Sequence, residues 1–380
     1  MRDMQLHHFS TFAQRLVTAP QLTHLHLRNF SPCKKVIDGI LSLKNLSDVG
    51  LDLSGSPKAM INQTLFFSLG GLQCLSKFTI RLPGDVDWLP SSTTTTPIVF
   101  SKLVHLTLHC SFDDALLLLT STRLPSLQKL VHQFLLPIPP LTPSFKWKEF
   151  TDRLRISTTS KITSLHLKPS TYLGQDIVGI PRVWAIMKTY PGISFHEVSD
   201  SLLQLKLTDL ELHFPLFHSL TVDDFAAMGA AWPDMTQLRL HAISLQDSIP
   251  DTSVLRLITT AFPRLSSLGI DMDAERICKP SLVSSSHPLE VLTVGLPKWP
   301  NTLNAKLKFA ALVDSLFPNL RSILTTPGTN NHLSQVLDIL EALRSSRKRE
   351  RNRIRTQYCL PDIKQEEDDD EDEDDEDEDD

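Results

Sequence analysis

Apolar residues recur along the chain with the spacing L-x-x-L-x-L, in which single polar residues separate the last apolar positions. Such alternation predicts a half-buried β-strand. Successive copies start 24 to 45 residues apart, and two of them, from Leu127 and Leu320, lose the last apolar position. The eleven copies start at Leu22, Leu46, Leu75, Leu103, Leu127, Ile162, Leu207, Met235, Leu265, Leu289 and Leu320. We therefore predict eleven short strands.

The segments between these copies mostly carry apolar residues at helical spacing. In six copies a proline stands one or two residues before the first apolar position, as in Trp232-Pro233 and Phe262-Pro263. Proline ends a helix and extends the residue before it, so each junction predicts a turn from helix into strand. The helices predicted in this way are Lys34–Leu43, Phe112–Thr120, Val222–Ala231, Thr252–Phe262, Ala305–Phe317 and His332–Leu343.

A unit of one strand and one helix cannot bury its apolar face alone, whereas stacked units share a continuous core. Most of the intervals lie at or just above the roughly 20–29 residues of leucine-rich repeats. The predicted fold class is therefore α/β, a leucine-rich-repeat solenoid with a curved parallel sheet, outer helices and a disordered acidic C-terminal tail. The alternative is an ordinary doubly wound α/β domain, which the number of copies disfavours.

The predicted solenoid covers residues 1–343 and is irregular at about residues 135–200. Pro169–Ser201 holds no clear copy, although Val178–Thr189 within it reads as an extra helix. Both a hinge in this region and one continuous arc fit the sequence. Beyond the solenoid we predict a basic segment at residues 344–365 and a disordered acidic tail at 366–380.

The formal net charge of −6 is the sum of an acidic C-terminal run and a basic remainder of the chain. Glu366–Asp380 is a run of fifteen acids, and the rest of the chain carries 38 basic against 29 acidic residues. The acidic run cannot fold alone, because like charges repel and nothing apolar offsets the chain entropy. Seven basic residues lie within Arg344–Arg355. That run fits a nuclear-import signal, a nucleic-acid contact or a solvated segment paired with the acids beyond it.

The five cysteines are scattered and form no C-x-x-C motif, which indicates reduced thiols. The first residues lack the apolar core of a signal peptide, and no apolar run is long enough to span a membrane. We therefore predict a cytoplasmic or nuclear protein without a membrane partner.

Motifs of catalysis are absent from the sequence. It contains no G-x-S-x-G elbow, no phosphate-binding G-x-x-x-x-G-K-[ST] loop and no dinucleotide-binding G-x-G-x-x-G. No set of cysteines and histidines has the spacing of zinc ligands. We expect a protein that is not an enzyme, with no catalytic residues, cofactor or metal.

Histidines and charged residues concentrate on the predicted strands. Strand side chains alternate, so if the leucines point into the core, these residues point to the concave surface. A solvated sheet face and a protein-binding surface both fit this pattern. The candidate partner-binding residues of the concave face are His26, Arg28, Lys77, Arg81, His105, His109, His166, Lys168, Arg239 and His241. Further polar residues expected on this face include Lys129, Asp209, Glu211 and Asp271.

The helix-to-strand junction FAAMGAAWPDMTQLRL and its relatives AFPRLSSLGI and LFPNLRSILT resemble the repeat regions of fungal F-box-like proteins. In that family the repeats recognise a substrate, while an N-terminal F-box recruits a cullin-based ubiquitin ligase. No L-P-x-E-[IL] motif precedes Leu22, so the resemblance covers the repeats alone. The asparagine that leucine-rich repeats place three residues after the last leucine is also missing, and we expect no regular asparagine ladder.

The resemblance implies a non-enzymatic interaction module, an F-box-type substrate-recognition protein linked to ubiquitin ligation. Its expected partner is a protein on the concave face, together with cullin-ligase subunits if an F-box lies upstream. Repeats followed by an acidic tail also resemble the acidic leucine-rich nuclear phosphoproteins. The alternative function is therefore a nuclear factor whose tail binds histones or other basic proteins.

Overall fold

A computed structural model describes residues 18–28, 34–54, 68–82, 97–135, 146–159, 161–170, 193–212, 217–240, 250–277, 286–298, 300, 302–325 and 330–357. Its main feature is an eleven-stranded parallel sheet whose strands follow one another in chain order. Each L-x-x-L-x-L copy forms one of these strands, so the predicted α/β repeat architecture is confirmed, while the acidic tail predicted at 366–380 lies outside the described residues. The strands are β1 (His24–Leu27), β2 (Asp48–Asp52), β3 (Lys77–Arg81), β5 (His105–Cys110), β7 (Lys129–Leu135), β8 (Ser164–Ser170), β10 (Asp209–Leu212), β12 (Gln237–Leu240), β13 (Ser267–Asp273), β14 (Val291–Lys298) and β15 (Ser322–Thr325).

Two small parallel pairs lie outside this sheet. They are β4 (Ile98–Val99) with β6 (Thr122–Arg123), and β9 (Ile193–Ser194) with β11 (Phe217–Ser219). The helices lie between strands of the main sheet or after the last one: α1 (Lys34–Leu41), α2 (Phe112–Ser121), α3 (Trp147–Thr158), α4 (His196–Leu202), α5 (Val222–Ala231), α6 (Ser253–Ala261), α7 (Leu303–Leu316) and α8 (Asn330–Gln357). Five of the six predicted helices match observed ones closely, and the sixth is longer than predicted.

One apolar core joins the strands to the helices. The motif leucines, such as Leu210 and Leu238, are fully buried in the same cluster as helix residues such as Phe225 and Ile258. Because strand side chains alternate, the residues between the leucines point to the opposite side of the sheet. We call that side the open face; it corresponds to the concave face of the predicted solenoid.

The aromatic-proline junctions close the helices as the sequence predicts. Trp232, Phe262 and Phe317 are the C-caps of α5, α6 and α7, and each donates its backbone N–H to the carbonyl four residues earlier. Each aromatic ring is almost completely buried. The indole Nε1 of Trp232 also donates to the backbone carbonyl of Leu205 at 2.8 Å. These residues therefore end a helix and fill the core at the same time.

A ladder of hydroxyl groups runs across the sheet just before the strands begin. The second motif position is serine or threonine in seven of the eleven copies. The hydroxyl of Thr236 donates to the carbonyl of Thr208 at 3.0 Å, and that of Ser266 donates to the carbonyl of Thr236 at 3.0 Å. The same carbonyls accept two backbone N–H groups from the next unit. Hydroxyl groups thus tie neighbouring units together, as asparagine does in other repeats.

His132 occupies the last core position of the copy that starts at Leu127. It is fully buried, with its ring 5.9 Å from Phe150 and 6.2 Å from Phe112 between ring centroids. Burial lowers the pKa of His132 to about 4, which keeps the ring uncharged at neutral pH. An uncharged imidazole packed among aromatic rings can replace the missing apolar residue.

The region predicted to be irregular contains repeat-like elements. Helix α3 connects β7 to β8, with Trp147, Phe150 and Leu154 buried on one face, and α4 precedes β10. The extra helix predicted over Val178–Thr189 lies outside the described residues. The main sheet itself runs through the region without a missing strand.

Helix α8 extends the helix predicted over His332–Leu343 through the whole of the basic run Arg344–Arg355. Two residues of that run, Arg344 and Arg347, contact the carboxylate of Asp314 on α7. These contacts, with the buried side chains of Val336 and Leu340, explain why the helix continues. Within the described ranges, no helix is long and apolar enough to cross a bilayer.

Candidate functional site

The register of the sheet brings two candidate residues, His166 and Arg239, next to Glu211 at the middle of the open face. Glu211 on β10 pairs in register with His166 on β8 and with Arg239 on β12. All three occupy the fifth position of consecutive motif copies, between two buried leucines. The repeat spacing therefore stacks an acid between a histidine and an arginine.

Glu211 is the centre of a network of charges. Its Oε1 lies 3.2 Å from Arg239 Nη1, while its Oε2 lies 3.0 Å from Lys168 Nζ and 3.3 Å from His166 Nδ1. Only 7% of the Glu211 side chain is exposed, compared with 36% for Arg239 and 30% for Lys168. We call His166, Lys168, Asp209, Glu211 and Arg239 the Glu211 cluster. The acid lies at its base, and its cations reach the surface.

Asp209 contacts the second ring nitrogen of His166, opposite the one that faces Glu211. Its Oδ2 lies 2.6 Å from His166 Nε2 and accepts a hydrogen bond from the Ser164 hydroxyl at 2.9 Å. Burial works to raise the pKa of Asp209, but the hydrogen bonds from His166 and Ser164 and nearby positive charge hold it below its ordinary value. Asp209 is therefore ionised at neutral pH. Both nitrogens of His166 face carboxylates, which fixes the orientation of the ring.

A smaller charged group lies on the first three strands. Asp48 on β2 contacts His26 on β1 at 3.2 Å and Lys77 on β3 at 3.0 Å. The His26 ring lies over Gly50, where an added Cβ would come within 2.3 Å of its Nδ1. Glycine at position 50 thus lets the ring reach Asp48. This group repeats the arrangement of the Glu211 cluster, with one buried acid between a histidine and a basic residue.

The remaining candidates are spread along the open face. Arg81 pairs with Asp52 at 3.7 Å, and His109 is half-buried on β5. Burial, and then the charges of Lys129 and Lys77, lower the pKa of His105. Arg28, which follows β1, is exposed, and His241 lies outside the described residues.

Sequence reasoning placed Glu211 and Asp209 on this face but did not include them among the candidate binding residues. The signal for them was the alternation of charge at equivalent positions of consecutive copies, as in SLHLK, DLEL and QLRL. Asp48 was missed, because one acid after a leucine and a serine looks like any solvated residue. The pairing of adjacent strands brings residues that are 22 to 45 positions apart into contact, and these contacts identify the acids.

Both acids of the Glu211 cluster are engaged by other side chains of the protein. Lys168 and Arg239 compensate the charge of Glu211, and Ser164 and His166 occupy Asp209, so neither acid is poised as a base. In the part of the chain that the structure describes, no group of three histidines, cysteines or acids could hold a metal ion. No protein-family model matches the chain, and no curated protein is significantly similar to it.

Replacing Glu211 by glutamine is expected to destabilise the protein by about 1–3 kcal/mol, because Lys168 and Arg239 lose the buried charge that they share. The matched control is Asp234→Asn. It removes an acid whose pair with Arg264 is 2.8 Å long but largely exposed, so we expect a loss within about 0.5 kcal/mol. Urea unfolding followed by circular dichroism measures both. Equal losses would show that the Glu211 cluster contributes no more than a surface ion pair.

Proposed function

We propose that this chain is a non-enzymatic protein-binding solenoid, and that its open face recognises another protein. The observation that carries the proposal is the Glu211 cluster, in which one buried acid, Glu211, holds the cationic side chains of Lys168 and Arg239 at the surface. Such an arrangement supports specific recognition, since the charged groups lose little further freedom when a partner binds. Repeat solenoids offer an extended face of this kind.

Lys129 gives the face a charge that is available to a partner. It is half-buried on β7, in register between His105 and Ser164. Within the described residues it forms no ion pair, whereas Lys77, Lys168 and Arg239 each contact an acid of the chain itself. We propose that this position accepts an acidic group of the bound protein.

The finer proposal is that the bound protein is a substrate for ubiquitin ligation. It is supported by the resemblance of the junction at Trp232-Pro233 and its relatives to the repeats of fungal F-box-like proteins. Affinity purification of the full chain and of a form lacking Glu366–Asp380 tests it. Recovery of cullin-ligase subunits with both forms supports the proposal. Recovery of histones alone, and only when the acidic tail is present, would replace it with the alternative function.

A further inference from the structure

The open-face residues of β13 are more deeply buried than those of the adjacent strands. The residues that β13 presents there are small or lack a side chain, and Ser267, Gly269 and Asp271 are all buried. The neighbouring strands carry larger side chains that are half-buried, including Arg239 on β12 and Thr293 on β14. We call Ser267, Gly269 and Asp271, which are buried between these larger side chains, the β13 trough.

Asp271 lies in the β13 trough with its carboxylate flat against β14. It pairs in register with Gly295, and a Cβ added at Gly295 would lie 1.7 Å from Asp271 Oδ1. Only glycine at position 295 leaves space for the carboxylate there. Asp271 is 8% exposed, so this acid is almost removed from solvent.

No hydrogen bond or ion pair engages Asp271 within the described residues, which sets it apart from the other acids of the open face. Asp48, Asp52 and Glu211 each contact a basic side chain, and Asp209 contacts His166. Nearby cations are engaged elsewhere. Arg239 contacts Glu211 and Ser267, and Arg276 contacts Asp273 at 3.5 Å.

We infer that Asp271 is the binding site for the guanidinium group of an arginine on the protein bound at the open face. The inference rests on the proposed function, because the arginine belongs to the protein that we propose to bind at the open face. Ionising a buried carboxyl group without a partner is costly, and a cation that enters the trough lowers that cost. Guanidinium is the fitting cation, because its planar fork can donate two hydrogen bonds to one carboxylate and it is more weakly hydrated than ammonium.

The protonation state of Asp271 shows directly whether a guanidinium group is bound next to it. Burial raises its pKa to about 8, so the free carboxyl is mostly protonated at neutral pH. The described charged groups on the strands around it are Arg239 on β12 and Asp273 on β13, and His241, which follows β12, lies outside the described residues. A guanidinium group in the trough favours the ionised form, so binding must lower the pKa and release a proton.

The test uses the full chain labelled with ¹³C at the aspartate carboxyl carbon. Loss of one signal in Asp271→Asn assigns Asp271, and the signal of exposed Asp234 serves as internal control. Titration from about pH 3 to about pH 10 brackets the ordinary and raised pKa values. It is repeated with Nα-acetylarginine amide, with the lysine analogue and with the uncharged citrulline analogue. We expect the arginine probe to lower the Asp271 midpoint by about one pH unit or more and to leave Asp234 unchanged.

Equal midpoints with the arginine and citrulline probes would overturn the inference. An equal displacement by the lysine probe would overturn the assignment to guanidinium. Because these probes need no macromolecular partner, a negative result leaves protein binding at Lys129 and the Glu211 cluster untouched. Failure to find a protein partner would likewise leave a positive probe result standing.

Discussion

Replacing Trp232 by alanine is expected to lower the free energy of unfolding by about 3–5 kcal/mol. The side chain is 1% exposed, and its Nε1 donates to the Leu205 carbonyl at 2.8 Å, so the change removes core volume and a buried hydrogen bond. In a solenoid each unit is stabilised by its neighbours, and a defect in this unit weakens the contacts on both sides. Urea unfolding followed by circular dichroism gives the loss.

Trp232→Phe separates the two contributions. The ring still fills most of the core, but the Leu205 carbonyl loses its donor, and we expect a smaller loss of about 1–2 kcal/mol. A Trp232→Ala variant as stable as Trp232→Phe would contradict the structural role that we assign to the helix-to-strand junction.

Replacing Asp271 by asparagine is expected to change how stability depends on pH. The folded protein raises the pKa of this acid from 3.8 to about 8 by burial. Between these values the folded state holds a proton that the unfolded state has released, so stability falls as pH rises from about 4 to about 8 and then levels off. At about 1.4 kcal/mol for each pKa unit, the contribution is on the order of a few kcal/mol.

Asparagine removes this titration and keeps the size of the side chain. The variant should therefore match the wild type near pH 4 and be the more stable protein above about pH 8. Thermal or urea unfolding across this range gives the difference, with Asp234→Asn as the exposed control. Parallel pH profiles for wild type and Asp271→Asn would mean that Asp271 is solvated or paired.

The sequence predicts most of the fold, because the apolar spacing specifies both the strands and the side of the sheet that is buried. Even the copies that start at Leu127 and Leu320 form strands. In the first of them, His132 replaces the missing apolar residue because burial keeps its ring uncharged. Helix α3 was not predicted, although Trp147, Phe150 and Leu154 have helical spacing. It lies where the repeat interval lengthens, after the proline-rich stretch Leu135–Pro143, whose composition predicts an extended segment.

The candidate site was less predictable than the fold. Alternation alone places His166, Lys168 and Arg239 on the open face, but it does not show which acid joins them. Glu211 contacts all three only because register aligns residues 28 and 45 positions apart. The β13 trough depends on the size of side chains on adjacent strands, which no single copy of the motif reveals. Pairing between strands therefore carries the information that the sequence pattern lacks.

Binding of a partner to the open face can be tested most directly with two matched charge reversals. Lys129→Glu changes an open-face residue that forms no ion pair within the described residues, whereas Arg81 and Arg239 already pair with the chain's own acids. Lys308→Glu makes the same change at an exposed position on α7, among the helices. The affinity of each variant is measured for the protein captured by the wild-type chain. We expect Lys129→Glu to weaken binding about tenfold, or ~1.4 kcal/mol, and Lys308→Glu to leave it unchanged. Unchanged binding by Lys129→Glu, or an equal loss in both variants, would contradict recognition through the open face.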